Sequence, residues 1–448
     1  MSYPFAPLVM WLAVAAADDT LLQPGTQWSF RGDLAPVQRQ RGPPMKNFDL
    51  TMWVIEADDS GVQLYWLVDE RGQGQWPWIE RFGRVALDPA YKTTGSSGPS
   101  LLYDFGTGKN VVPLLPPVMK TDESLAKGAT WEQDALEFEV EGSANVGDRA
   151  CWQIAVRNNF GRKRVVWLDK QSPLLVKLEE TVFMDRGTEY ELSWTFVGSE
   201  QLEPAAFDKL GRAFNDLIAV RKKLKRPTRT QSDEFSAEQR ELLIAALPKL
   251  AAETDGGALA PLVQNAANEL KSQASRAEAV ATLREQFVDK PAPAFALEGL
   301  GGERLSAADL AGKVTVLHFW EYQNEPLKEP YGQIGYLEFL HGRRGGEGVQ
   351  VMGVAVDARL KNQQTRTVAM ASVRKLKEFM NLTYPILLDD GQVLRAFGDP
   401  RILGATLPLY VIIDRNGKVA DYHVGLQPVD RQEGLKELDD LVHELATP

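Results

Sequence analysis

The stretch KVTVLHFWEYQNEPLKEP, residues 313–330, decides the fold of the C-terminal part of the chain. Its first half, Val314–Trp320, is rich in apolar and β-branched residues and predicts a buried strand. A helix start follows, because Asn324 is a good N-cap, Glu325 suits the positive end of a helix dipole, and Pro326 is tolerated in a first turn. The stretch therefore predicts a strand that leads directly into a helix.

Working outward from this junction, strands and helices alternate through residues 288–446. The sequence predicts further strands at 349–356, 384–388, 409–414 and 419–424, and helices at 331–341, 367–379, 392–397 and 430–444. The turn DRNGK makes the last two strands a hairpin. This order is typical of an α/β fold with a mixed central sheet.

The same region resembles the thioredoxin-like superfamily, and most closely its TlpA/ResA and AhpC/TSA (redoxin) branch. Four segments carry the resemblance in the correct order: 292–320, which opens Ala-Pro-Ala-Phe and ends Phe-Trp, then GVQVMGVAVDA, LTYPILLDDGQVLRAFGD and TLPLYVIIDRNGKV. The resemblance implies a thioredoxin-like fold with thiol–disulfide oxidoreductase or peroxiredoxin activity. It also puts Pro408, after Leu407, at the family's cis-proline position.

The family's redox motif has no cysteine here. The resemblance puts a Cys-x-x-Cys pair at the start of the helix, and counting from Phe-Trp places that pair at Asn324 and Leu327. Counting back from Pro330 places it at Tyr322 and Glu325 instead. Thiol–disulfide exchange and peroxide reduction both need a thiolate. We therefore assign no catalytic residue and regard the Asn-Glu-Pro-Leu sequence at 324–327 as a degenerate motif.

Two other features of this region have competing interpretations. A cis Pro408 exposes the backbone of Leu407, which could pair with an extended segment of another envelope polypeptide, or the proline could simply shape the turn. Three acids lie near a histidine in the sequence: Glu321, Glu325, Glu329 and His318. They could form a metal site or a general base. The simpler interpretation is that the acids are solvated at a helix start and that the histidine is buried. We expect no metal and no cofactor.

The rest of the chain predicts three further segments. Residues 1–17 resemble a signal peptide, with an apolar core at Phe5–Val14, so we expect export to the periplasm or beyond; an apolar strand or helix is the alternative. Residues 18–203 predict an antiparallel β-sheet or half-barrel with a long loop at Tyr91–Pro117. Residues 204–287 predict a helical connector, in which the basic run 221–229 is a solvated helix end. Residues 288–448 form the thioredoxin-like domain.

The predicted β-domain is rich in tryptophan and holds the chain's single cysteine, Cys151. Nine tryptophans could line a pocket for an apolar ligand or could pack in a core. The segment 147–180 weakly resembles the half-barrel of LolA-like exported carriers. Cys151 lies in an alternating strand, so we expect a small buried hydrophobic residue, with an intermolecular disulfide or a reactive thiol as the alternative.

Composition limits the function classes. A chain of 448 residues with 44% hydrophobic and 25% charged residues predicts two or three globular domains. The net charge of −11 argues against nucleic-acid binding, and no membrane span is expected after the signal segment. One cysteine excludes an intramolecular disulfide and a Cys-rich zinc site.

The leading functional hypothesis is a non-catalytic binding or scaffolding protein of the cell envelope. The alternatives are a thiol–disulfide oxidoreductase or peroxidase, as the family implies, and a carrier of an apolar ligand in the β-domain.

Overall fold

The structure, a computed structural model, describes residues 21–37, 46–71, 78–95, 98–105, 108–184, 187–224, 235–322, 333–428 and 434–447. The chain divides into two compact units. The first comprises Met1–Lys222 and Pro248–Gln264, and the second Lys223–Leu247 and Asn265–Pro448. The division into a signal segment, a β-domain, a helical connector and a C-terminal domain stays a prediction.

An antiparallel sheet of 11 strands forms the first unit, as predicted for this part of the chain. The strands are β1 (Thr26–Pro36), β2 (Lys46–Asp58), β3 (Gly61–Arg71), β4 (Phe82–Leu87), β5 (Thr93–Thr94), β8 (Thr130–Gln133), β9 (Leu136–Val146), β10 (Arg149–Asn158), β11 (Gly161–Asp169), β12 (Leu175–Met184) and β13 (Thr188–Gln201). Their spatial order is β5-β4-β3-β2-β1-β13-β12-β11-β10-β9-β8. In β1, every second residue is buried, which gives the sheet one core face.

The prediction of a long loop at Tyr91–Pro117 is wrong. This segment contains the short strand β5 and a separate hairpin of β6 (Ser100–Phe105) and β7 (Gly108–Pro113). Leu101 and Val112, which face each other across the hairpin, are buried in the core of the unit. Their burial outweighs the low strand propensity of the surrounding Gly, Ser and Pro residues.

A buried ion pair fastens this hairpin to the large sheet. Lys46 Nζ lies 2.7 Å from Glu70 Oε2, and the two side chains are 5% and 0% exposed. Glu70 Oε1 accepts a hydrogen bond from the Leu102 N–H at 3.2 Å, and Lys46 donates to the Leu102 carbonyl oxygen. The charges are thus paired and hydrogen-bonded, as burial requires.

Three helices follow the sheet: α1 (Pro204–Leu224), α2 (Ala237–Thr254) and α3 (Ala260–Phe287). In the first unit, Phe214 of α1 packs on three aromatic rings of β2, β3 and β4. Its ring centroid lies 5.5 Å from Trp53, 4.4 Å from Tyr65 and 6.5 Å from Phe82. These contacts fix α1 against the sheet. None of the helices in the described part of the chain is long and apolar enough to span a membrane.

A mixed sheet of seven strands forms the centre of the second unit. The strands are β14 (Ala296–Gly299), β15 (Arg304–Ser306), β16 (Val314–Trp320), β17 (Val349–Val356), β18 (Ile386–Asp389), β19 (Leu409–Ile413) and β20 (Val419–Val424). Their spatial order is β15-β14-β18-β17-β16-β19-β20. The parallel strands are β16, β17 and β18, and the others pair antiparallel.

Both faces of this sheet are covered, so its central strands are mostly apolar. All seven residues of β16 are buried: Val316 and Trp320 pack in one core, and Leu317 and Phe319 pack in the core on the opposite face. The unit's remaining helices are α4 (Ile334–Arg344), α5 (Gln363–Phe379), α6 (Gln392–Ala396) and α7 (Leu435–Ala446).

A second buried ion pair joins α4 to α7. Arg344 Nε lies 2.7 Å from Asp439 Oδ1, and Arg344 Nη2 lies 2.9 Å from Asp439 Oδ2, with side chains 7% and 5% exposed. The hydrogen bond from Arg344 lowers the pKa of the Asp439 carboxyl. This bidentate pair fixes the helix that follows β16.

Candidate functional site

The segment before β19 forms an open backbone edge in the second unit. The peptide bond between Leu407 and Pro408 is cis. Thr406 is exposed and Leu407 is half-buried. No hydrogen bond joins the backbone of Leu407 to another residue that the structure describes. As far as the described residues go, this backbone is therefore open to pairing with an added strand.

A groove of about 940 Å³ adjoins this edge. One wall is the exposed face of α3, where the small side chains of Ala277 and Ala281 leave space. Other parts of the wall come from Gly404–Thr406, from Asp421–Pro428 and from the start of α7. The groove is open and mixed in polarity, so an extended chain could lie along it.

The edge strand β20 supplies a second row of backbone groups to the groove. Its first part is covered, because the Val419 N–H donates to the Lys290 carbonyl and the Asp289 N–H donates to the Val419 carbonyl, both at 2.9 Å. Farther along, the Gly425 N–H donates to the carbonyl oxygen of Pro408, the residue before β19, at 2.8 Å. Because neighbouring residues of a strand point to opposite edges, the backbone of Val424 faces away from β19, toward the groove.

An ion pair and a histidine contribute to the electrostatics of the groove. Arg284 of α3 and Asp421 of β20 form an ion pair of 2.9 Å across it. Burial lowers the pKa of His423, whose buried Nε2 atom makes no hydrogen bond among the described residues. The groove therefore offers a neutral imidazole and a neutralised ion pair rather than a strong field of one sign.

A buried polar network lies where the strand ends meet α4. Gln333, the residue before α4, accepts hydrogen bonds from the Tyr410 hydroxyl at 2.6 Å and from the Gln427 N–H at 2.8 Å, and its Nε2 donates to the Gln427 carbonyl at 2.6 Å. Nothing in the sequence indicated that Gln333 and Gln427 are partners, because they are 94 residues apart and neither belongs to a motif.

The degenerate motif positions Asn324, Glu325, Pro326 and Leu327 lie outside the described residues, as does Glu329. The neighbouring residues that the structure does describe do not form the metal or general-base site weighed above. His318 is fully buried, 4.6 Å from the Tyr410 ring, and Glu321 forms an ion pair of 2.9 Å with Arg401. Among the described residues, no group of three or more His, Cys, Asp or Glu side chains could hold a metal ion.

Cys151 lies in β10 of the first unit and is fully buried in its core. Burial, with a smaller contribution from Asp169, raises the pKa of the thiol from 9.0 to about 11. The Sγ atom donates to the Arg149 carbonyl at 3.6 Å. A thiol in this environment stays protonated at neutral pH and is a poor nucleophile.

The described tryptophans of the first unit are mostly core residues. Six of them are buried in the unit: Trp28, Trp53, Trp66, Trp78, Trp167 and Trp194. A pocket of about 350 Å³ in this unit is lined by aliphatic side chains, Phe138 and a few polar groups, and no tryptophan belongs to its lining. A ligand of the β-domain stays a proposal.

The arrangement of the second unit defines a thioredoxin-like domain. Its strand order β18-β17-β16-β19-β20, its crossover helices α4 and α5 and its final hairpin are those of that fold. Residues 288–422 match the model of the AhpC/TSA family. The C-terminal region is thus a thioredoxin-like domain of the redoxin type, as the sequence analysis predicted.

The chain is similar to several known proteins. Over 151 residues the chain is 28% identical to "Thiol-disulfide oxidoreductase ResA" of Bacillus thuringiensis (strain Al Hakam), covering 33% of this chain and 75% of that one. It is 26% identical over 148 residues to "Thioredoxin-like protein YneN" of Bacillus subtilis (strain 168), covering 33% and 78%. A crystal structure of a thiol:disulfide interchange protein of the thioredoxin family from Chlorobium tepidum TLS is 23% identical, covers 35% and 96%, and has a TM-score of 0.28.

Proposed function

We propose that the thioredoxin-like domain binds an extended segment of another envelope polypeptide and does no thiol chemistry. The observation that carries this proposal is the position of the only sulfhydryl in the chain. Cys151 lies in the other unit, buried, with a raised pKa. Thiol–disulfide exchange needs a thiolate that can reach its partner.

The open edge and the adjoining groove support the binding role. An extended peptide that pairs with the backbone at Leu407 gains main-chain hydrogen bonds, and its side chains enter the groove beside α3. Ala277 and Ala281 leave room for those side chains. The ion pair between Arg284 and Asp421 and the imidazole of His423 offer polar contacts that can select among sequences.

The alternative is an enzymatic activity of the kind stated in the names of the relatives. ResA is described as a thiol-disulfide oxidoreductase, and it is similar to one third of this chain. Such an activity here would have to proceed without a cysteine at positions 322–327. The chemistry of these side chains supports binding better, because Asn, Glu and Leu cannot form a mixed disulfide.

We further propose that the protein acts outside the cytoplasm. The apolar segment Phe5–Val14 followed by small residues supports this location. The proposal predicts that the protein recovered from its native host lacks residues 1–17, which the mass of the intact protein measures. A full-length cytoplasmic product would contradict it.

A pair of matched variants tests the binding role. Ala281 of α3 lines the groove and is exposed, so Ala281→Trp fills the groove with little strain on the fold. Ala274 is an equally exposed alanine of the same helix outside the groove, and Ala274→Trp is the control. Peptides are selected from a displayed library on the intact protein, and their affinities are measured by fluorescence polarisation.

The proposal predicts that peptides bind the wild type and Ala274→Trp equally, and that Ala281→Trp weakens them by about tenfold or more, which corresponds to about 1.4 kcal/mol or more. A photo-crosslinker at the exposed Thr406 should also label the bound peptide. Full affinity in Ala281→Trp, or selection of no peptide at all, would contradict the proposal.

A further inference from the structure

The pocket of the first unit has a floor built from one row of the large sheet. Val156 lies directly opposite Phe138 on one side and Arg164 on the other, and Arg164 lies opposite Glu180. Residues in such a cross-strand row share one face of a sheet. A guanidinium group therefore lies beside apolar side chains, within a pocket of about 350 Å³.

Arg164 has an unused hydrogen-bond donor. Its side chain is 12% exposed, and its Nη2 atom lies 3.1 Å from Glu180 Oε1. Its Nε atom is buried and has no hydrogen-bond partner among the described residues. A buried donor without an acceptor is costly, so a ligand oxygen at this position would be stabilised.

The charges around this donor favour a single negative charge on the ligand. Glu180 is approached by two cations, Arg164 at 3.1 Å and Lys163 at 3.7 Å. One carboxylate against two cations leaves a net charge of about +1 around Glu180, which adjoins the floor through Arg164. At the mouth, Lys92 is already neutralised by Asp134 at 2.6 Å.

One of the remaining walls is apolar and held by backbone hydrogen bonds. Met119 and Val118 come from a segment that pairs with the start of β12, since the Met119 N–H donates to the Pro173 carbonyl at 2.8 Å and the Leu175 N–H donates to the Pro117 carbonyl at 2.9 Å. A volume near the lower end of the usual range for ligand pockets suits a small molecule.

We propose that this pocket binds a small apolar monocarboxylate, with its carboxylate oxygen accepting from Nε of Arg164 and its apolar body against Phe138, Val156 and Met119. This inference concerns the first unit and does not rest on the function proposed for the thioredoxin-like domain.

Calorimetric titration of the intact protein with naphthoate, and with naphthalene methanol as its neutral counterpart, tests the inference. Arg164→Lys keeps the charge opposite Glu180 but removes the Nε donor. Ala90→Trp blocks the mouth from an exposed position that lines the pocket, and Ala126→Trp, exposed but outside the pocket, is its control. Unchanged circular dichroism verifies that each variant folds.

The wild type should bind naphthoate at least about tenfold more tightly than the alcohol, as expected of a hydrogen bond to a charged group. That difference should shrink in Arg164→Lys, and Ala90→Trp should weaken both ligands while Ala126→Trp leaves them unchanged. Absence of naphthoate binding by the wild type would overturn the inference. So would equal affinity for the two compounds, or binding that survives both pocket variants.

Discussion

The thiol of Cys151 should be unreactive in the folded protein and ordinary in the unfolded one. Its side chain is fully buried in β10, and burial raises its pKa from 9.0 to about 11. Only the thiolate is nucleophilic, and each unit of pKa above the solution pH reduces its fraction about tenfold. The raised pKa alone therefore lowers the reactive fraction at neutral pH by about 100-fold, and exclusion of the reagent lowers the rate further.

The assay is the rate of reaction with an aromatic disulfide reagent near neutral pH, followed by absorbance, first in buffer and then in concentrated urea. We expect the native protein to react at least about 100-fold more slowly than the unfolded protein, and the unfolded protein to release one equivalent. Cys151→Ser provides the blank. Reaction of the native protein at the unfolded rate would refute the burial of this thiol and the reasoning from it.

Further predictions concern the two buried ion pairs. Lys46→Met removes the cation 2.7 Å from Glu70, which is 0% exposed, and should cost about 3–5 kcal/mol of unfolding free energy, measured by urea denaturation. Glu70→Leu in the same chain should recover part of this loss. Asp439→Asn should cost less than Lys46→Met near pH 7 but more than the loss of an exposed pair, because Arg344 loses its buried bidentate partner and keeps Glu347 Oε1 at 3.2 Å. The pKa of Asp439 is lowered in the folded state, so its contribution is present above the unfolded pKa of about 3.9 and is lost as the pH falls through the lower folded value. The difference between the wild type and Asp439→Asn should therefore shrink below about pH 4.

An exposed pair provides the control for these predictions. Lys436 and Asp440 form an ion pair on α7 with side chains 48% and 58% exposed, so Lys436→Met should change the unfolding free energy by about 1 kcal/mol or less. A loss in Lys46→Met or Asp439→Asn no larger than this control would show that burial does not determine the strength of these pairs. A pH-independent effect of Asp439→Asn would contradict the lowered pKa.

The C-terminal fold was predictable because its signals are local. The run Val314–Trp320 predicts a buried strand, and every residue of it is buried. The turn that joins β19 to β20 is equally local, since Asp414 Oδ1 accepts from the N–H groups of Asn416 and Lys418 at 2.9 and 2.8 Å. Such patterns depend on spacing along the chain, which a sequence displays directly.

Features built from distant residues were not predictable. The hairpin of β6 and β7 is held by Lys46 and Glu70, which precede it by dozens of residues, and its Gly, Ser and Pro neighbours favour a loop. The pocket around Arg164 collects side chains from several strands and connecting segments, none of which forms a motif. Register and packing determine which polar atoms meet across a sheet, and local composition predicts neither of them.

The candidate site was predictable in part. The sequence pattern indicated Pro408 and the edge beside it, because these belong to the family's final strand and hairpin. It gave no indication of the groove beside α3 or of the bond between Gln333 and Gln427, since both arise from the packing of segments far apart in the sequence.

The most direct test of the binding account is an assay for redox turnover by the purified full chain. Insulin reduction with dithiothreitol and peroxide consumption with a thiol donor are measured for the wild type and for Cys151→Ser, with a cysteine-containing thioredoxin as the positive control. The account predicts rates equal to the uncatalysed background for both proteins. Turnover above background that persists in Cys151→Ser would contradict it.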